Sequence, residues 1–581
     1  MKQYSNEKNT LILIALLKAH GIKKIVISPG ATNVSFVGSV QQDPWFELYS
    51  SVDERSAAYI ACGLAAESGE PVALSCTGAT ASRNYMPGLT EAFYRKLPVL
   101  ALTSTQRTGR IGHYIPQVID RTVPLNDIVK MSVQIPVVQD KEDEWSCAVT
   151  INKALLELNH RGKGPVHINI ETTYSKDFSI EELPEVQIIR RIASCDYLPE
   201  ITGERIAIFV GEHEDWSDEL TNAVDMFCSK YNAVVLCDQT GNYRGKYRVL
   251  ANLVTDQGRK FKCTYPDLLI HIGTVSGAYM AVRPGNVWRV NPDGEIRDTF
   301  KKLSHVFEMT ETDFFKNYNF MKPDEENNNE YFREWLDTRN SIVPRVPELP
   351  FSNPWIAQNT ADKLPQNCTL HLGILNSLRS WNLFETDRTV SVHSNTGGFG
   401  IDGCVSTLIG ASLADSERLY FGIVGDLAFF YDMNVLGNRH IGNNVRIMVI
   451  NNGKGTEFRN YNHRAAAFGE AADEFMAAAR HYGNKSQNLI KHYAEDLGFE
   501  YISASNKDEY LKVYSRFVTS EKLDKSVIFE VFTDSEAESD AIKLMKTIEP
   551  AEENGSSGLK GAAKNILGES GMKAIKKIIR R

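Results

Sequence analysis

The stretch Gly425–Asn452, "GDLAFFYDMNVLGNRHIGNNVRIMVINN", puts an acid directly after one apolar run and a pair of asparagines directly after another. The preceding "LYFGIV" reads as a strand, "FFYDMNVLGNRH" as a crossover helix and "VRIMVI" as the next parallel strand. In an open parallel sheet, ligands bind outside the carboxyl ends of the strands. Asp426 and Asn451–Asn452 stand at two such ends, one right-handed crossover apart. Asp426 offers a carboxylate, Asn452 an amide oxygen, and the turn "NNGKG" a backbone carbonyl near Lys454. Three oxygens leave an octahedron room for a water and two phosphate oxygens, which suits Mg²⁺ bridging a diphosphate. A helix cap at Asp426 and a plain turn at the asparagines explain the spacing alone equally well. Asn443–Asn444, at the entrance of the strand, reads as a turn only.

The same alternation of short apolar β-rich runs and helix-like segments extends in both directions. "KIVIS", "VALSC", "PVLALTS" and "VHINI" come first, then "RIAIFVG", "AVVLCD", "LLIHIG" and "VWRVNP". "TLHLGI", "VSVHSN", "LYFGIVGD", "VRIMVINN" and "SVIFEVF" complete the series. This pattern predicts an α/β chain of parallel sheets flanked by helices. Two stretches rich in Pro and charge, near 175–201 and 340–354, read as linkers. The expected domains are therefore 1–185, 200–340 and 350–545, followed by a tail at 546–581. The middle turns, "FVGEHEDW" and "HIGTVSGAY", lack the G-x-G-x-x-G pattern.

One βα unit before the opening stretch lies "HSNTGGFGIDGCVSTLIGAS", with Gly397, Gly398, Gly400 and Gly403 ahead of a small-residue helix. Such a loop lets backbone approach a ligand closely and aims a helix N-terminus at anionic oxygens. Tight helix–sheet packing is the competing explanation. A third stretch, Ser50–Ser104, "SSVDERSAAYIACGLAAESGEPVALSCTGATASRNYMPGLTEAFYRKLPVLALTS", carries Glu54 at the start of a helix. On its own, Glu54 reads as a capping or surface acid.

Together the three stretches resemble thiamine-diphosphate (ThDP) enzymes of the pyruvate-decarboxylase and acetohydroxyacid-synthase superfamily. The most similar branch is that of the 2-succinyl-5-enolpyruvyl-6-hydroxy-3-cyclohexene-1-carboxylate synthases of menaquinone synthesis. "SPG" at Ser28–Gly30, "DERSAAY", "PQVID" at Pro116–Asp120, "GIDG" at Gly400–Gly403 and "GDLAFFYDMN" carry that likeness. Leu427 after the metal-type Asp426 matches the menaquinone branch, where the wider superfamily has Gly. The resemblance covers roughly 1–545 and is thin in the middle. It implies a pyrimidine-binding domain, a central Rossmann-like linking domain and a diphosphate-binding domain. It also implies ThDP and Mg²⁺ as cofactors, and a homodimer or homotetramer with Glu54 of one chain facing Asp426 and Asn452 of another. An acid at the position of Glu54 would hydrogen-bond the aminopyrimidine and activate the cofactor. Gly397, Gly398, Gly400, Gly425, Asp426, Leu427 and Asn452 would bind the cofactor, with Ile401 beneath the thiazolium. Gln117 would face the substrate. FAD, bound by some relatives in the middle domain, is not expected here.

The departures concern the substrate. After "SPG" the menaquinone branch has Ser-Arg-Ser, whereas this chain has Ala31-Thr32-Asn33. Before "GIDG" that branch has Asn-Arg-Gly, whereas this chain has Asn395-Thr396-Gly397. The position of a further arginine that the branch has after "NS" (Asn376–Ser377) falls at about Trp381 in this chain, with Arg379 close enough to substitute. Arginine pairs bidentately with carboxylates, so its loss predicts a different, less anionic acceptor. His113 and Tyr114, in "RTGRIGHYIPQ", and Glu457, in "NNGKGTEF", are the new polar groups. His113 and Glu457 are the proton-transfer candidates. Lys454 and His463 read as solvated side chains.

Composition limits the other readings. Across 581 residues the net charge of −9 argues against nucleic acid as the main partner. Nine scattered cysteines without a C-x-x-C pair fit reduced buried thiols in a cytoplasm. The apolar N-terminal stretch is interrupted by Lys18 and His20, and reads as a first helix feeding "KIVIS". The tail, "ENGSSGLKGAAKNILGESGMKAIKKIIRR", sets basic residues opposite Met572, Ile575, Ile578 and Ile579. It is expected to contact anionic lipid at the inner membrane face or an acidic partner, or to pack on its own subunit. The leading function is decarboxylation of a 2-oxo acid with transfer of the acyl carbanion equivalent to an acceptor. The alternatives are a decarboxylase that releases an aldehyde and a cofactor-binding scaffold without turnover.

Overall fold

The computed structural model describes residues 3–194, 196–213, 216–278, 280–323, 328–480 and 485–550. The expected tail beyond residue 550 lies outside them. The described chain is α/β, with three sets of parallel strands. Its compact units are two, one made of 1–199 with 286–309 and the other of 200–285 with 310–581.

In the first unit, six strands run in the order β2-β1-β3-β4-β6-β5. They are β1 (Lys24–Ile27), β2 (Glu47–Ser50), β3 (Val72–Cys76), β4 (Val99–Thr105), β5 (Met131–Ile135) and β6 (Val166–Glu171). β3 and β4 are buried along their whole length, as expected of central strands covered on both faces. The helix Lys8–Ala19 buries Leu11 through Leu17 almost without a break. It packs on the helix Lys141–Glu157, and each such Leu or Ile contributes about 1.5–3 kcal/mol. The helix Glu54–Ser68 turns Ala57, Ala58, Ala61 and Ala65 inward. Gly88 lets the helix Met86–Arg95 approach it, since a Cβ there would stand 2.4 Å from that of Ala58. Asp53 caps the helix, accepting from the Arg55 amide at 2.9 Å, and Gly69 ends it at φ 69°. Glu54 is thereby fixed at a helix N-terminus on the carboxyl side of the sheet.

The middle segment contributes β7 (Arg190–Ala193), β8 (Ile206–Val210), β9 (Ala233–Cys237), β10 (Arg248–Leu250), β11 (Leu268–Ile272), β12 (Asn286–Val290) and β13 (Leu303–Glu308). The second unit holds the order β10-β9-β8-β11, and the first unit holds β12-β13-β7. A stretch expected to be linker, 175–201, thus contains a strand. β7 pairs in parallel with β13, with Arg190 opposite His305 and Ala193 opposite Glu308. It is short, polar and only half-buried, as edge strands tend to be.

The third sheet, in the second unit, runs β15-β14-β16-β17-β19-β18. Its strands are β14 (Thr369–Leu372), β15 (Ser391–His393), β16 (Tyr420–Gly425), β17 (Val445–Asn451), β18 (Glu500–Ala504) and β19 (Val527–Phe532). β16 and β17 pair in parallel from Tyr420–Val445 to Gly425–Ile450. The crossover between them is a seven-residue helix, Asp426–Asp432, followed by a 3₁₀ turn, Met433–Gly437. Asn444 is the turn residue expected. Its side-chain amide donates to the carbonyls of Ser412, Asp415 and Arg418. No helix among the described residues is long and apolar enough to cross a membrane.

Two buried histidines make the fold sensitive to acid. His167 lies between the hydroxyls of Thr103 (2.7 Å) and Ser132 (2.8 Å), and burial, then Arg121 and Arg83, pushes it down to about 3. Burial, then His393, pushes His371 down to about 3 as well. Below the usual histidine value of about 6.5 the unfolded chain takes up these protons and the folded chain does not. Stability is therefore lost as pH falls from about 6.5 towards 3, by about 2 kcal/mol per histidine at pH 5. Buried Glu538, pushed up to about 7, acts in the opposite direction, its contribution being lost as pH rises through that value. Replacing both histidines by Gln is expected to flatten the fall in melting temperature between pH 7 and pH 5. An unchanged pH profile would contradict this assignment.

Candidate functional site

The site in the second unit is assembled at the carboxyl ends of β16 and β17. Asp426 is the first residue of its helix and is buried, with one carboxylate oxygen accepting from the Gly453 amide at 3.1 Å. Gly453 has φ 80°, the left-handed turn that folds the loop back towards Asp426. The loop is also seated on Leu427, whose Cδ1 would lie 3.2 Å from a Cβ at Gly455. Asn451 donates to buried Glu530 at 2.7 Å. Asn452 hydrogen-bonds to Glu538, which also accepts from the Asn353 amide (2.9 Å) and the Thr533 hydroxyl (2.7 Å). The Asn452 Oδ1 is buried with no hydrogen-bond partner. An orphaned buried oxygen is costly, and here it belongs to the loop that closes on a buried carboxylate. The pair suits an oxygen-seeking divalent cation. The Lys454 carbonyl already accepts from the Thr456 amide at 2.9 Å, and its ammonium is paired with Asp473 at 2.7 Å.

The glycine loop after β15 is open at its first two glycines. A Cβ at Gly397 or Gly398 would meet nothing within 4 Å, so packing within the chain does not account for these glycines. Gly403, at φ 76°, opens the helix Cys404–Ser412. Asp432 ties that helix to the crossover by accepting from the Ser406 amide and hydroxyl, both at 2.5 Å. Ile401 is half-buried against the core beneath the sheet. Thr396 is buried and donates to Glu212.

Arg379 and Glu457 form an ion pair through one nitrogen, with Nη1 at 2.6 and 2.5 Å from the two carboxylate oxygens. Asn460 adds a hydrogen bond to the same carboxylate at 3.2 Å. The pair lines a cavity of about 420 Å³ with His463, Tyr461, Lys543 and Lys546. Trp381 is fully enclosed, its indole donating to Asn353 at 3.2 Å.

In the first unit, Glu54 is half-buried and its carboxylate accepts only a long contact from Asn84, at 3.4 Å. Thr32 and Asn33 are buried. Thr32 shares a hydrogen bond with Thr77 (2.7 Å) and donates to the Ser104 carbonyl (2.9 Å). Asn33 donates to the Ser28 carbonyl at 3.0 Å, and its Oδ1 has no partner. His113, Tyr114 and Gln117 lie exposed on the loop after β4. Tyr114 and Gln117 adopt φ 54° and 65°, backbone strain of the kind that gathers at ligand-binding loops.

Residues 9–123 match the family described as "Thiamine pyrophosphate enzyme, N-terminal TPP binding domain". Over 573 residues the chain is 33% identical to the 2-succinyl-5-enolpyruvyl-6-hydroxy-3-cyclohexene-1-carboxylate synthase of Bacteroides fragilis, covering 93% of this chain and 98% of that one. The chain belongs to this family of ThDP-dependent enzymes. The synthase of Bacteroides thetaiotaomicron is 32% identical over 570 residues, with the same coverage of 93% and 98%. A solved ThDP-dependent 4-hydroxybenzoylformate decarboxylase from Rhodococcus jostii aligns over 91% of this chain and 99% of its own, at 16% identity and a TM-score of 0.39.

Within this synthase-family chain, two buried acids escaped the sequence reading. Glu530 accepts from Asn451 and from Tyr501 (2.8 Å), and Glu538 holds Asn452. Burial raises both carboxyls. Glu530 interrupts the apolar run "VIFEVF", and an acid in the middle of a buried strand was the available signal.

Proposed function

We propose that this enzyme uses ThDP and Mg²⁺ to decarboxylate a 2-oxo acid and passes the acyl unit to an acceptor less anionic than the menaquinone substrates. The observation that carries the cofactor reading is the orphaned Asn452 oxygen on the loop that closes over Asp426. Asp426 and Asn452 would hold the cation, with the Lys454 carbonyl as the third protein oxygen. Gly397, Gly398, Gly400 and the helix start at Gly425 would cradle the diphosphate, and Ile401 would support the ring. Residues 1–185, 200–340 and 350–545 would serve as pyrimidine, linking and diphosphate domains. When bound, ThDP supplies the electron sink needed to lose CO₂ from a 2-oxo acid. Glu54 holds its carboxylate at a helix start for the aminopyrimidine, with Asn84 its one long contact. Exposed Val52, Tyr59, Ile60 and Tyr94 on the first unit favour assembly with a second copy. The eight described cysteines are buried free thiols, in keeping with a reducing compartment.

The less anionic acceptor rests on Thr32 and Thr396, which stand where the menaquinone branch carries arginines. The Glu457 carboxylate holds Nη1 of Arg379 and leaves its other N–H groups outside that pair. His113, exposed on its loop, keeps the aldehyde-releasing decarboxylase as the second reading. CO₂ release from a panel of 2-oxo acids, with and without sugar or aldehyde acceptors, separates the two. Release that requires an acceptor is the expected result. Equal release without one would make the enzyme a plain decarboxylase and give His113 the proton-transfer role.

A further inference from the structure

Arg121 is a buried cation without a counter-charge. Its residue is 5% exposed, and it lies behind the carboxyl ends of β3 and β4. Its Nη2 donates to the Ser104 carbonyl at 3.2 Å and to Asn169 Oδ1 at 2.8 Å. Its Nε and Nη1 are buried with no hydrogen-bond partner. The charged and titratable neighbours offer no anion. Cys76, pushed up to about 12 by burial, is a neutral thiol. His167 is neutral, and Arg83 is a second cation whose own Nη2 is spent on the Asp120 carbonyl. No carboxylate among the described residues is paired with the Arg121 guanidinium. A buried charge is tolerated only when paired and hydrogen-bonded.

Beside this guanidinium is a cavity of about 40 Å³, lined by Arg121, Arg83, Tyr85, Thr103, Met86 and His167 among others. That is space for a halide, or for the head of one carboxylate or bicarbonate, and too little for a diphosphate. We propose that this cavity is a binding site for a small monovalent anion, held by an unpartnered N–H of Arg121. Nε–H and Nη1 lie on opposite edges of the guanidinium, so the contact is a single charge-assisted hydrogen bond, which a halide or one oxygen of a carboxylate can accept. Two sources supply such a ligand: an ion from solution, or the carboxylate of a small 2-oxo acid. The second source alone rests on the proposed function.

The test uses the full chain. In crystals grown in bromide, an anomalous peak in contact with the Arg121 guanidinium is expected, and it should vanish in Arg121→Gln. In solution, replacing sodium gluconate by sodium chloride at equal ionic strength should raise the parent melting temperature by about 2 °C. The variant should show no such rise. A parent crystal with no bromide at Arg121, or a parent melting temperature equal in the two salts, overturns the proposal even if the variant fails to fold. Pyruvate added to the bromide crystals names the source. Displacement of bromide assigns the site to a substrate carboxylate, and retention assigns it to an ion from solution.

Discussion

Glu54→Gln is expected to lower kcat about 1,000-fold while leaving ThDP affinity within a few-fold of the parent. The size follows from the usual worth of a positioned acid or base, about 10²–10⁴-fold. Gln keeps the length and the hydrogen-bonding oxygen of the side chain but loses its charge. Little stability is at risk, because Glu54 is half-buried, makes one long contact to Asn84, and stands after the Asp53 cap that holds the helix start. The lost interaction with the helix dipole is worth only about 0.3–1 kcal/mol. Steady-state CO₂ release gives kcat, and a fluorescence titration with ThDP gives the affinity. A variant as active as the parent would remove Glu54 from the chemistry. A variant that no longer binds ThDP would make it a binding residue instead. Collapse of turnover with binding intact also excludes the scaffold reading, which has no use for an activating acid.

Asp426→Ala is expected to weaken ThDP binding by about 100-fold or more and to remove its dependence on Mg²⁺. Asp426 is a buried carboxylate on the β16–β17 crossover, and the 451–455 loop closes over it through the Gly453 amide. Removing it takes away the charge that would hold a cation and leaves the Asn452 oxygen without a purpose. Loss of one charged contact in a buried site costs about 3 kcal/mol, on the order of 100-fold in affinity. The substitution also frees the Gly453 amide. Its structural share is read by restoring that hydrogen bond with Asp426→Asn, which keeps an acceptor oxygen but not the charge. If Asn restores melting temperature but not cofactor affinity, the carboxylate acts on the cation and not on the loop.

The parts of this molecule that could be read from the chain are those with local signals. Central strands such as β3, β4, β16 and β17 are continuous apolar runs because helices cover both faces, and their order along the chain reports a parallel fold directly. Most strands at sheet edges were illegible, β15 within "VSVHSN" excepted. β2, "ELYS", is exposed at three of its four positions, β7, "RRIA", lies within a charged connection, and β10, "RVL", is three residues long. None of these carries a hydrophobic period: β2 and β7 are exposed or half-buried, and β10, though buried, is too short to show one.

The site divides along the same line. Asp426 and Asn452 were legible because strand ends are where a parallel sheet binds ligands. The groups that hold them were not, because tertiary contact brings them from far along the chain. Glu530 meets Asn451 across 79 positions and Arg379 meets Glu457 across 78. That second meeting changes how both residues read. As single residues, Arg379 suggested a substrate clamp and Glu457 a proton carrier. As a pair, both Glu457 oxygens accept from Nη1 of Arg379. Thr32 and Asn33 stand where relatives' substrate groups were expected, and in this chain they are buried and hydrogen-bonded to the ends of β3 and β4. Arg121 gave no signal at all, since a lone arginine after "PQVID" is ordinary until its burial is known.

The most direct test of the central claim is a calorimetric titration of the full-length chain with ThDP, in Mg²⁺ and again in EDTA. Saturable binding of one ThDP per chain in Mg²⁺, at least tenfold weaker in EDTA, is the predicted result. Equal affinity in the two buffers, or no binding in either, would contradict the assignment of Asp426 and Asn452 to a cation that bridges the cofactor's diphosphate.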